Sequence, residues 1–266
     1  MIKLPPENIY GHTKKLRFVI DNINKHIDLH NKPIAVLDFG CGNGSAVSQF
    51  LIRDEINYYG VDIHEASLYY AEKNFSKKNA VFLNYIPSGI LFDVIVYADI
   101  LEHLEAPVSI LQHHHSLLKE DGLIIGAVPN GFGPFENEKR IDNWLGISRG
   151  ISRGFFLAAR VKRKLVGSCM SSQKEIIPSN ISSQEEIIPY NDESGHVQFF
   201  TKKALFLTLQ QSGFKIECFR NGAFLGAPLS KLVLLRGERI AKLNSQIADF
   251  LPDWAVSTWY FTAKKK

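Results

Sequence analysis

Cysteine is scarce in this chain: Cys41, Cys169 and Cys218 are the only three, spaced too widely for a metal-binding or disulfide framework. That excludes a small disulfide scaffold and fits a reducing compartment. Long apolar runs are missing as well. None approaches the roughly 18 residues needed to cross a bilayer, and the opening stretch MIKLPPENIYGHTKK lacks the apolar centre of a secretory leader. The expected location is cytoplasmic, at most peripheral to a membrane. Charge is weakly one-sided, since a net +4 over 266 residues permits an anionic partner without requiring one. No solenoid-type repeat array is present. The chain is 45% hydrophobic, which suffices to bury a full core as a single domain, 1–266, with an elaboration.

Along the first half, helical and strand patterns alternate. HTKKLRFVIDNINKHIDL carries Leu16, Val19, Ile20, Ile23 and Ile27 at helical spacing, and Pro33 separates it from the strand IAVLDF. A helix is expected from Ser45 through Leu51. INYYGVDI, AVFLNY, FDVIVYAD and LIIGAV read as further strands, EASLYYAEKNFSKK and PVSILQHHHSLLKEDG as helices, the latter stopping at its glycine. Such alternation predicts an α/β fold, a mostly parallel sheet with helices on both faces. Ligands of these sheets bind at the carboxyl ends of the strands. Farther on, Thr201 is placed to cap a helix that ends at Gly213, before the strand FKIECFR; LSKLVLLRGERIAKLNSQIADFL reads as a helix and WAVSTWYFTAKKK as a last strand with a solvated lysine tail.

The stretch VLDFGCGNG, residues 36–44, is a short apolar strand breaking into three close glycines, a loop that meets its ligand through backbone. A dinucleotide fold would show G-x-G-x-x-G; here the motif is one residue shorter and Asp38 stands two positions ahead of it. A pyrophosphate would be opposed by that acid, which counts against an NAD-dependent oxidoreductase. Asp62 ends the second strand, 22 residues after Gly40, where a carboxylate accepts both hydroxyls of a ribose. A nucleoside with a cationic tail fits both acids.

These residues resemble the class I S-adenosylmethionine-dependent methyltransferases over about residues 34–130 and again from His196 to Phe214. VLDFGCGNG is similar to that family's glycine-rich first motif, GVDIHEASLYYAEKN to its ribose-binding second, and FDVIVYADILEHLEAP to its fourth strand and following turn. The resemblance implies a Rossmann-like sheet of seven strands, the last inserted antiparallel, and S-adenosylmethionine as cofactor. It implies that Asp38 and the loop Gly40, Cys41, Gly42 and Gly44 hold the methionine portion and that Asp62, followed by Ile63, holds the ribose. Asp99 belongs to the same cofactor surroundings. Where many members place an acid for the adenine amine, this chain has FLNYIP, so Asn84 or Tyr85 must serve.

In ADILEHLEAP, a helical conformation would put Asp99, Glu102 and His103 on one face at the end of a strand. One reading is that they organise the turn after the fourth strand through local hydrogen bonds. The other follows a resemblance to the ubiquinone-pathway O-methyltransferases and the small-RNA 2′-O-methyltransferases, which hold a divalent metal with a Glu-x-x-Glu-His cluster and a later histidine. Asp99 stands where the first Glu would be, and His196 in GHVQFF takes the later place. Mixed oxygen and imidazole ligands suit Mg²⁺ only weakly, so no metal ligand is assigned. The sulfonium methyl is already electrophilic, and a hydroxyl acceptor needs help losing its proton. His103 and His196, with Glu102 beside them, are therefore the candidate catalytic groups. His113, His114 and His115 diverge on a helix and are expected to form a solvated face.

Residues 131–195 exceed what the compact family core requires and are expected to form an inserted lid. Trp144, Leu145, Ile147, Ile151, Phe155 and Phe156 alternate with Arg149, Arg153 and Arg160, so 144–166 also suits contact with an anionic membrane surface. A repeat follows, SSQKEIIPSN at 171–180 and SSQEEIIPYN at 182–191. The chain looks most similar to enzymes acting on small or lipid-linked acceptors such as glycan intermediates or quinone precursors. An RNA acceptor is the alternative, opposed by the lack of a recognisable RNA-binding module. A catalytically silent binding protein on the same fold is the other.

Overall fold

The computed structural model describes residues 3–146, 189, 195–226, 230 and 237–266. Strand β1 (Ile34–Phe39) shows why the sheet lies at the centre of the molecule: Ile34, Val36 and Leu37 are all fully buried, on both faces. Continuous apolar strands of this kind are those of a parallel sheet covered on each side. Around it lie β2 (Ile56–Val61), β3 (Ala80–Leu83), β4 (Phe92–Ala98), β5 (Leu118–Pro129), β6 (Phe214–Asn221) and β7 (Thr258–Lys265), in the order β3-β2-β1-β4-β5-β7-β6. The first five are parallel. β7 runs antiparallel to both β5 and β6, between which it is inserted, as the resemblance implies.

Alternation along each strand divides the interior into two cores. Val36, Tyr58, Val94, Val96 and Ile125 face α1 (His12–His30), which presents Leu16, Val19, Ile20 and Ile23, the face its spacing predicts; Leu51 of α2 (Ser48–Leu51) and Ala71 of α3 (Glu65–Phe75) join them. Leu37, Ile95, Tyr97, Ile124, Trp259 and Phe261 pack on Leu111 of α4 (Pro107–Leu117) and on Leu205 and Leu209 of α6 (Lys202–Gln211). Thr201 caps α6 by accepting from the Ala204 N–H, and Gly213 (φ +85°) follows its end. α5 (Pro134–Leu145) follows β5, and α7 (Glu238–Ile247) precedes β7.

Several expected boundaries move. α2 is one turn long, because the Asn43 side chain accepts from the Ser45 N–H and keeps the chain turning up to Ser48. α4 stops at Leu117, five residues before Gly122, because Leu118 pairs with Phe92 and Lys119 reaches both oxygens of buried Asp93 at 2.8 Å. His114 is buried, not solvated: its Nδ1 meets the Tyr97 hydroxyl at 2.5 Å and its ring packs edge-on against Phe39. Burial lowers its pKa to about 4 and keeps the imidazole neutral. Lys264 and Lys265 are strand residues rather than a free tail; Lys265 pairs with Glu120. Nearly all of 144–166 and of the 171–191 repeat lies outside the described residues, and among those described no helix is long and apolar enough to cross a membrane.

Candidate functional site

The glycine loop leaves β1 at the carboxyl edge of the sheet, where the N–H groups of Gly40 and Cys41 both donate to the Val61 carbonyl of β2. This fold-back needs a left-handed residue, and Gly40 has φ +79° with Ile100 pressed against the place a Cβ would take. Asp62 follows β2 and accepts from the N–H of Gly42 at 2.8 Å and of His64 at 2.9 Å, so one carboxylate sets both the loop and the start of α3. Ile63 beside it is 85% exposed, and Asn84 and Tyr85 stand exposed beyond the adjacent β3. The sequence-derived cofactor residues therefore share one edge. The buried thiol of Cys41 is held protonated by desolvation and the neighbouring acids.

Asp38 is turned beneath the loop rather than into it. At 1% exposure it accepts from the Tyr58 hydroxyl at 2.7 Å and the Ser48 hydroxyl at 3.2 Å. Burial raises its pKa from 3.8 to about 6, against the lowering effect of those two bonds. A carboxyl whose folded pKa is raised favours the folded state below its unfolded pKa and loses that contribution as pH climbs through the folded one. Stability should thus fall between about pH 4 and 6 on this group's account, by roughly 2–3 kcal/mol. Asp38→Asn should flatten that part of a urea-derived stability profile; an unchanged slope would show that Asp38 ionises normally.

Beyond β4 the expected helix does not form. Asp99 has φ +59°, and Leu101–His103 is a single 3₁₀ turn, so Asp99, Glu102 and His103 do not line up on one α-helical face. The Asp99 carboxylate pairs with Lys15 of α1. Glu102 is 1% exposed, its pKa driven well above the usual carboxyl range by burial and by the charge of Asp99. Its backbone carbonyl accepts from the N–H groups of Val197 and Gln198, both at 2.9 Å, which fastens the segment carrying His196 against the turn. His103 Nδ1 lies 3.1 Å from the Gly195 carbonyl oxygen, and its ring stands 5.0 Å from that of His196. Burial lowers the His103 pKa, and a neutral imidazole can take a proton.

Glu102, His103 and His196 each bring one ligand-capable atom within 4.8 Å of the others. They line a cavity of about 660 Å³ together with His12, Lys15 and Tyr260. His12 is pushed down to about 4 by burial and by Lys15. A larger groove, about 880 Å³, lies between the N-terminal segment and α7, lined by Glu7, Lys14, Arg17, Glu238 and Lys242. It touches neither the loop nor the histidines. Sequence reasoning missed Lys15, His12 and Glu136. Glu136 is 2% exposed on the first turn of α5, with Oε1 2.8 Å from His196 Nδ1. Neither spacing nor motif marks it; only burial does.

A methyltransferase-domain family profile matches residues 10–218. The ubiquinone biosynthesis O-methyltransferase of Rickettsia akari (strain Hartford) is 25% identical over 123 residues, 44% of this chain and 48% of that protein. That of Neisseria meningitidis serogroup C is 28% identical over 120 residues, 42% and 50%. The matches thus span about half the length of these curated relatives. Among solved structures, an S-adenosylmethionine-dependent methyltransferase from Clostridium acetobutylicum superposes with a TM-score of 0.54 at 12% identity, over 96% of this chain and 92% of that one. With a family match across most of the chain and a glycine loop and sheet order that agree with it, the protein belongs to the methyltransferase-domain family and has its class I fold.

Proposed function

We propose that the enzyme methylates a hydroxyl of a small or lipid-linked acceptor seated in the 660 Å³ cavity, with His103 and His196 handling the acceptor's proton. The observation that carries this reading is the convergence of Glu102, His103 and His196 in one cavity at the carboxyl edge that also bears the glycine loop. The Gly40–Gly44 loop and Asp62 with Ile63 hold the cofactor on the adjoining part of that edge, with Asn84 at the adenine end and Asp38 bracing the loop from beneath. A neutral His103 accepts the hydroxyl proton as the oxygen approaches the methyl group. The relatives named for ubiquinone biosynthesis point to a phenolic hydroxyl of a quinone precursor as the first acceptor to try.

The donor set also fits a divalent cation, since Glu102 Oε2 is buried without a hydrogen-bond partner. Glu102, His103 and His196 would hold it, and two imidazoles with one carboxylate suit Mn²⁺, Co²⁺ or Zn²⁺ better than Mg²⁺. Such an ion supplies Lewis-acid lowering of the hydroxyl pKa.

Formation of S-adenosylhomocysteine from S-adenosylmethionine and a panel of catechol-type, sugar and RNA acceptors tests the reading. Turnover with the catechol type is expected, falling about 10²–10⁴-fold in His103→Ala and His196→Ala with cofactor-induced stabilisation kept. Wild-type turnover in both variants would remove the histidines from the mechanism. Methylation of RNA alone would replace the acceptor.

A further inference from the structure

Among the described residues, three of the six buried side-chain atoms without a hydrogen-bond partner lie together: Glu102 Oε2, Glu136 Oε1 and His196 Nδ1. Glu136 Oε1 and His196 Nδ1 stand only 2.8 Å apart. Close as it is, the contact misses hydrogen-bond direction, so each atom has a polar neighbour but no completed hydrogen bond. Buried polar atoms are rarely left unpaired, and a concentration of them marks a place prepared for something further.

We propose that Glu136 is the positioning residue of a divalent-cation site whose ligands are Glu102, His103 and His196, a proposal that rests on the functional reading above. Each of the two histidines has an oxygen close to its Nδ1. His103 has its Nδ1 against the Gly195 carbonyl oxygen and His196 has its Nδ1 against Glu136. An acceptor at Nδ1 keeps the proton there and leaves Nε2 with its lone pair, the form in which imidazole binds a metal. His103 Nε2 already lies 4.0 Å from Glu102 Oε1.

The scaffold behind Glu136 is firm. Pro134 opens α5, the Asn130 carbonyl accepts from the Gly133 N–H, and the Gly131 N–H donates to Phe200 O. Arg140, one turn after Glu136, spans the rings of Phe132 and Phe199 and donates to the Gly131 carbonyl. Thus α5 and the segment carrying His196 are held together, which keeps Glu136 beside the ring. Asp99 is placed otherwise: its left-handed backbone turns its carboxylate to Lys15. The acid at His196 Nδ1 therefore comes from α5, while the turn contributes Glu102 to the cluster.

Mn²⁺ titration of the full chain followed by electron paramagnetic resonance tests the assignment, with S-adenosylhomocysteine-induced thermal stabilisation as the control for folding. The wild type is expected to take up one Mn²⁺ per chain. Glu136→Ala should weaken that uptake about 10- to 100-fold, and Glu136→Gln, which keeps an acceptor oxygen in the same volume, should lose less. Both should keep the cofactor-induced shift. Wild-type Mn²⁺ affinity in Glu136→Ala, or no uptake by the wild type at millimolar Mn²⁺, would overturn the proposal. If the Mn²⁺ pattern holds while no hydroxyl acceptor turns over, the acceptor reading falls and the positioning role stands. Turnover without Mn²⁺ uptake gives the reverse.

Discussion

Asp62→Ala is expected to remove nearly all stabilisation by S-adenosylmethionine and S-adenosylhomocysteine. The carboxylate fixes two backbone N–H groups at once, Gly42 in the glycine loop and His64 at the head of α3. It is also the group proposed to accept the ribose hydroxyls. Hydrogen bonds to a charged partner contribute about 1.5–3 kcal/mol each, so losing two of them weakens binding at least about 100-fold. At a ligand concentration 100 times the wild-type Kd, stabilisation would drop from about 2.7 kcal/mol to about 0.4 kcal/mol. A thermal titration of both proteins reads this directly. An undiminished shift would mean that the ribose lies elsewhere and that Asp62 serves only the loop.

Gly40→Ala is expected to damage folding and cofactor binding together. A left-handed alanine costs about 1–2 kcal/mol, and its Cβ would come within 2.5 Å of Ile100 Cγ1 and 2.7 Å of Cδ1. Relieving that overlap pushes on the residue between Asp99 and the 3₁₀ turn, adding about 1–3 kcal/mol of overpacking. The total, about 2–5 kcal/mol, should lower the unfolding midpoint clearly. Gly42→Ala provides the contrast, since φ there is +56° but nothing lies within 4 Å of the added carbon. It should lose the conformational part alone. Equal losses in the two variants would show that Ile100 yields freely and that the crowding has no energetic weight.

The parts of this protein that were legible in the sequence are those fixed by local pattern. The α1 face, the buried strands, the glycine loop and the acid after β2 each follow from a period or a steric demand within a few residues. The antiparallel last strand came from family resemblance instead. What escaped depends on distant partners. Asp99 adopts a left-handed conformation in which its N–H donates to Ala127 and its side chain meets Lys15, 84 positions away, and no helical spacing reveals that. His113, His114 and His115 are alike in sequence, but His114 is the one that faces Tyr97 and Phe39. Glu136 reads as an ordinary first-turn acid until α5 is docked against His196.

The insertion of β7 between β5 and β6 sets an order of assembly. Among the described strands β6 pairs with β7 alone, and β5 leaves its β7-facing edge open until residues more than 120 positions farther along arrive. Contacts this distant form late because a long loop must close first. Until then, Gly126 to Pro129 offer an unpaired apolar edge, the kind of surface that captures another unfinished chain. Refolding yield should therefore depend steeply on protein concentration, and a peptide of residues 258–265 supplied in excess should raise it by covering that edge.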